Sequence, residues 1–162
     1  MLAMPTALLR ALQRGFARLP PGSQLRRRWV KRIGTLLWAA ANREDFEGPL
    51  LFFEPDVEIR NDIEAARTLG MGESYHGHQG MLDFWRDYGQ DMAEMRAEPE
   101  QVIDLGDRVA VRTTFAAVGR SSGVATRETR GVIFYFSPRG LILRQETYMT
   151  WEDTLAALER RD

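Results

Sequence analysis

The chain has 162 residues, the size of one ordinary domain, with 44% hydrophobic side chains and no cysteine, which excludes disulfides, thiol nucleophiles, thiolate zinc sites and iron–sulfur clusters. Its formal net charge is −1, yet residues 1–43 carry nine basic side chains and no acid, so the remainder, with 13 basic and 23 acidic residues, stands at −10. An acidic body argues against nucleic acid as the main ligand, and no apolar run approaches the roughly 20 residues needed to span a bilayer.

Residues 5–19 place Leu8, Leu12, Phe16 and Leu19 at near-helical spacing beside a stripe of Arg10, Arg14 and Arg18. This predicts a short cationic amphipathic helix, retained rather than cleaved, because arginine interrupts what would be the apolar region of a signal peptide. Pro20-Pro21-Gly22-Ser23 ends it, and Ser23 is placed to cap a second helix from about residue 24 to Asn42, with Trp29, Ile33, Leu36, Leu37 and Ala40 inward. Arg26, Arg27 and Arg28 occupy the first turns of that helix, where its dipole disfavours positive charge, so an acid is expected nearby.

A shorter helical piece follows from Asp45 toward Phe53, then a strand over Val57–Arg60 and a Gly/Asn/Asp-rich loop over 61–75. Gly77–Met95 reads as a helix with Met81, Leu82, Phe84, Trp85 and Tyr88 inward. After Pro99 the pattern is strand-like over about 101–105, 108–118, 124–136 and 141–151. Three helices followed by an antiparallel meander is an α+β signature. Parity puts Val109, Val111, Thr113 and Phe115 on one face and groups Leu143, Gln145, Thr147 and Met149. Val132, Phe134 and Phe136 alternate with Ile133 and Tyr135, so that strand is apolar on both faces. One face needs helices and the other is expected to meet a second copy, which predicts a homodimer.

His76 and His78 flank Gly77. Spaced i, i+2, they lack a third metal ligand, and no metal is expected; His76 is the candidate for proton exchange because imidazole titrates near neutrality. The chain has neither a GxGxxG nor a P-loop pattern, so no cofactor is expected.

The strings Ala41-Asn42-Arg43-Glu44-Asp45-Phe46, Pro55-Asp56-Val57-Glu58, Tyr75-His76-Gly77-His78-Gln79-Gly80 and Asp104-Leu105-Gly106-Asp107-Arg108-Val109, with Gly140-Leu141-Ile142 and Trp151-Glu152-Asp153-Thr154-Leu155, resemble the SnoaL-like branch of the NTF2-like superfamily over roughly residues 28–160. The resemblance implies a cone-shaped α+β barrel in which a curved antiparallel sheet wraps around N-terminal helices, with residues 23–162 as the domain and 1–22 as a helix and linker. It also implies a hydrophobic small-molecule ligand and a cytoplasmic location.

The superfamily's known chemistries can be checked position by position. Where an epoxide-hydrolase-like member carries an Arg and two Asp, the alignment has Thr113, Phe115 and Thr147. Where a ketosteroid-isomerase-like member carries its base, Tyr and Asp, it has Arg60, Leu37 and Val132. Glu58 is the strand carboxylate placed inward by the alignment. The resemblance therefore nominates Arg60, Glu58 and His76 as catalytic candidates, Arg60 either anchoring a ligand oxygen or pairing with Glu58 for folding alone. Trp85, Tyr88, Thr113, Phe134, Gln145, Thr147 and Met149 are the substrate-binding set; its polar members must find hydrogen bonds on an apolar face. Two functions stay open: a small-molecule binder with or without isomerase, cyclase or hydrolase chemistry, and a non-catalytic interaction module. A cavity of a few hundred Å3 favours the first and a filled cone the second. For residues 5–19, packing on the domain or a dimer partner is weighed above contact with a membrane surface.

Overall fold

Thr6–Ala17 (α1) and Gln24–Ala41 (α2) form a helical hairpin across the Pro-Pro-Gly turn, and Ser23 caps α2 by accepting from the Arg26 N–H at 3.3 Å. The computed structural model describes residues 6–43, 45–89 and 92–160; residue 5 and the Leu8 side chain of the expected first helix lie outside the described residues. The stripe on α1 is rotated from the expected one. Phe16 and Gln13 are buried while Leu12 is exposed, because the Gln13 amide donates to the Leu51 carbonyl at 2.7 Å. The acid expected near the arginine cluster is Asp104, whose carboxylate meets Arg26 at 2.9 Å with both side chains buried.

A 3-10 turn over Gly48–Phe52 leads into Phe53–Asn61 (β1), which starts before the expected Val57. Pro55 is tolerated in it because the pairing lapses between Phe53 and Glu58. The expected loop over 61–75 instead contains Ile63–Leu69 (α3) and Ser74–His76 (β2). Asp62 caps α3 by accepting from the Ala65 N–H at 2.6 Å, and Gly70, at φ +65°, closes it. The next helix is Gly77–Gly89 (α4); it stops short of Met95 because Met92–Asp104 (β3) pairs along Arg108–Gly119 (β4) from Met92↔Gly119 to Asp104↔Val109. Ala125–Phe136 (β5) matches expectation. Ile142–Tyr148 (β6) ends before 151, where Thr150 accepts from the Asp153 N–H at 3.1 Å and starts Trp151–Glu159 (α5).

These elements make an α+β fold with a six-stranded, curved, unclosed sheet in the order β2-β1-β6-β5-β4-β3. The meander β3 to β6 is antiparallel as expected, whereas β1 joins β6 in parallel. α2 and α4 fill the concave face: Ile33, Leu37, Met81, Phe84 and Trp85 pack with Val57, Ile59 and Ile142. On the outer face α5 sets Ala157 and Leu158 against Ala110 and Ile133, so part of the cover assigned to a second copy comes from the chain itself. Gly131 permits this approach, because a Cβ there would overlap the Thr154 hydroxyl. Among the described residues, no helix is long and apolar enough to cross a membrane.

Candidate functional site

Between α2, α4 and the strands β4, β5 and β6 lies a cavity of about 70 Å3. α2 presents Ile33, Leu37 and Trp38 to it because they lie on one helical stripe, and α4 adds Phe84 and Trp85. From the sheet, Val111, Thr113, Val132, Phe134 and Gln145 reach it by strand parity. A bulge between Tyr135 and Phe136 shifts the start of β6, so Ile142 faces the cavity and Leu143, expected inward, is exposed.

The wall is nearly all apolar. Thr113 and Gln145 are its polar side chains; both are buried, and neither side chain has a hydrogen-bond partner among the described residues. The Trp85 indole N–H is likewise buried without a partner. No ionisable side chain lines this cavity among the described residues.

Of the substrate-binding residues read from sequence, Trp85, Thr113, Phe134 and Gln145 meet at this wall. Thr147 is buried beside it, level with Val132 on one side and Asn61 on the other. Tyr88 is buried on α4 and engaged elsewhere, and Met149 lies half-buried past the end of β6, off the wall.

Arg60 and Glu58, expected to face the cone, lie on the outer face of β1 and pair with each other at 2.8 Å. Val57, Ile59 and Asn61 take the inward parity, which leaves Arg60 half exposed. His76 sits opposite Glu58 on edge strand β2 and is exposed. His78 enters the first turn of α4, with its Nε2 3.3 Å from the Phe53 carbonyl. The buried carboxylate on β1 is Glu54, bound by Arg139. Among the described residues, no group of three His, Asp or Glu is arranged to hold a metal ion.

Sequence reasoning missed Arg130. It shares the inward parity of Val132 and Phe134, and its relative exposure is 1%, beside Thr113 on β4. Its guanidinium donates to the Tyr88 hydroxyl at 3.0 Å, pairs with Glu128, and lies 4.9 Å from the Phe115 ring centroid. Parity alone could have found it, since Arg130 continues the Val132–Phe134–Phe136 series by two residues. Burial pushes the Tyr88 hydroxyl above its usual pKa although Arg130 opposes the shift. On the outer face, Tyr135 and Tyr148 both donate to Glu146, at 3.0 and 3.1 Å. Burial and then the Glu146 charge raise both hydroxyls, that of Tyr148 strongly.

Residues 35–145 match the model of the SnoaL-like domain. An NTF2-like protein of unknown function from Burkholderia pseudomallei superposes with a TM-score of 0.62 at 22% identity, over 80% of this chain and 96% of that one. TerC, co-crystallised with polyporic acid, gives 0.60 at 25% identity, over 80% and 99%. A Mycobacterium tuberculosis protein in complex with estradiol-17beta-hemisuccinate gives 0.58 at 16%, over 75% and 93%. No curated protein matches the chain. With more than half of its length matched by the family model and the cone in place, the chain belongs to the SnoaL-like family.

Proposed function

We propose that this protein binds a compact hydrophobic molecule carrying one oxygen function, held inside the cone. The observation that carries the reading is the pairing of an apolar void with two polar side chains, Thr113 and Gln145, that have no hydrogen-bond partner among the described residues. Buried polar groups are nearly always satisfied, so a carbonyl or hydroxyl oxygen of a ligand completes the site. Co-crystallisation of TerC with polyporic acid supports small-molecule binding in this fold.

The size of the void limits the ligand. An engineered cavity of roughly 150 Å3 hosts benzene, and 70 Å3 is about half of that. A ring-bearing ligand would have to displace Trp38 or Phe134, whereas a compact ketone or alcohol would not. Among the described residues the wall also lacks a proton donor or acceptor of the titratable kind, which favours binding over isomerase, cyclase or hydrolase turnover. The small void equally favours a second reading, a non-catalytic interaction module whose partner is a second copy of the chain.

Native mass spectrometry of the protein as purified tests the first reading. A retained small adduct, reduced at least fivefold in Gln145→Leu and in Thr113→Val, supports it. Equal retention in both variants overturns the assignment, and a protein that retains nothing and takes up no added ketone leaves the interaction module.

A further inference from the structure

A second and much larger hollow of about 360 Å3 lies outside the cone, between α1, the 3-10 turn, the start of α4 and the β5–β6 turn. Its volume falls in the range of small-molecule sites, about 300–1,000 Å3. We propose that it is a binding site for a single-tailed amphiphilic carboxylate.

The charges come first. Among the described residues the lining carries the guanidinium groups of Arg10, Arg14 and Arg139 and no carboxylate. Glu54 meets the charge of Arg139, whereas Arg10 and Arg14 pair with no carboxylate among the described residues. Spaced i, i+4 on α1, the two lie on one face about one turn apart, suited to a carboxylate's two oxygens. His78 stands at the same hollow and is fixed by its contact with the Phe53 carbonyl.

Beside these cations the floor is apolar, made by Leu50, Leu51 and Leu141, and Leu51 is 46% exposed. Cationic head contacts next to uncovered leucine match a molecule with an anionic head and an aliphatic tail. The hollow is held in shape by the Gln13 bond to Leu51 and by Gly140, where φ is +78° and a Cβ would overlap the Gln13 carbonyl. α1, which supplies the two arginines, precedes the segment that matches the family model. A free amphiphile suits it better than a bilayer, because α1 turns Phe16 and Gln13 into its own domain, which leaves Leu12 as the large apolar side chain it exposes among the described residues.

Isothermal titration of the full chain with octanoate, octanol and acetate tests this. Octanoate is expected to bind one to one, with octanol and acetate at least tenfold weaker. Arg10→Gln/Arg14→Gln, and separately Leu51→Glu, should each weaken octanoate at least tenfold while the intrinsic tryptophan fluorescence, to which Trp38 and Trp85 of the cone contribute, stays unchanged. Both changes are at exposed positions, and circular dichroism checks that the variants fold. Undiminished octanoate binding in a folded variant, octanol binding as tightly as octanoate, or no octanoate binding by the parent chain overturns the proposal. So does arginine-dependent co-sedimentation with phosphatidylcholine/phosphatidylglycerol vesicles without octanoate binding, which would assign the arginines to a membrane surface. Octanoate that quenches the tryptophans regardless of the arginines belongs to the cone and overturns this site alone.

Discussion

Arg130 and Tyr88 join the sheet to the helix above it: the guanidinium donates to the phenol oxygen at 3.0 Å with both side chains buried. Glu128, 38% exposed, is the carboxylate that balances this charge. Removing one partner of a buried pair leaves the other uncompensated, and the cost falls on whichever charge stays buried. Glu128→Gln is therefore expected to destabilise by about 3 kcal/mol, the low end for buried pairs. Arg130→Met, which leaves a partly solvated carboxylate, should cost about 1 kcal/mol. Denaturant unfolding of both variants checks the order, and a larger loss in Arg130→Met would contradict it.

Arg26 and Asp104 tie the helical hairpin to the sheet. Their side chains are 3% and 0% exposed, the Gly22 N–H donates to the same carboxylate at 2.8 Å, and Arg26 also donates to the Gly106 carbonyl. Asp104→Asn should cost about 3–5 kcal/mol, and Arg26→Met combined with Asp104→Leu less than the sum of the single changes. Strict additivity in that cycle would show that the two residues act independently.

Gly131 has no space for a side chain beneath α5. Gly131→Ala should cost at least about 1–3 kcal/mol through overpacking and loosen the Ala157–Leu158 contact with Ile133. Faster hydrogen exchange confined to α5 and the middle of β5 is the expected signature; a parent-like melting temperature would mean that α5 docks elsewhere.

All four tyrosines, 75, 88, 135 and 148, have hydroxyls raised above the ordinary value, burial being the first cause in each. The native state therefore keeps protons that the unfolded chain releases near pH 10. This contribution to stability is complete below about pH 10 and is lost as pH rises from there through the native values. Absorbance at the tyrosinate band should rise together with the loss of circular dichroism. Independent ionisation near pH 10 with the fold intact would refute it.

Much of the cone could be read from the sequence because its strands alternate clearly: Val109 to Phe115 and Val132 to Phe136 announce their inner faces. Where tertiary pairing overrides local pattern, reading failed. Residues 92–95 continue a helical pattern yet pair with β4, and Ile142 and Leu143 exchange faces because of a bulge. α3 was legible in principle, since Asp62 and Gly70 mark both its ends. Arg60 was misplaced because a one-residue error in parity turns a whole strand over. Arg130 was missed although the parity of its strand was read correctly, because a charged residue in an inward series is explained only by partners such as Tyr88 on α4, which the strand's own pattern does not announce.

The most direct measurement is the side-chain amide signal of Gln145 in nitrogen-15 NMR spectra as butanone is added. A saturable shift of that signal, with matching quenching of Trp85 and both effects lost in Gln145→Leu, is the predicted result. A Gln145 amide indifferent to saturating butanone and to other compact ketones or alcohols would contradict a ligand site in the cone.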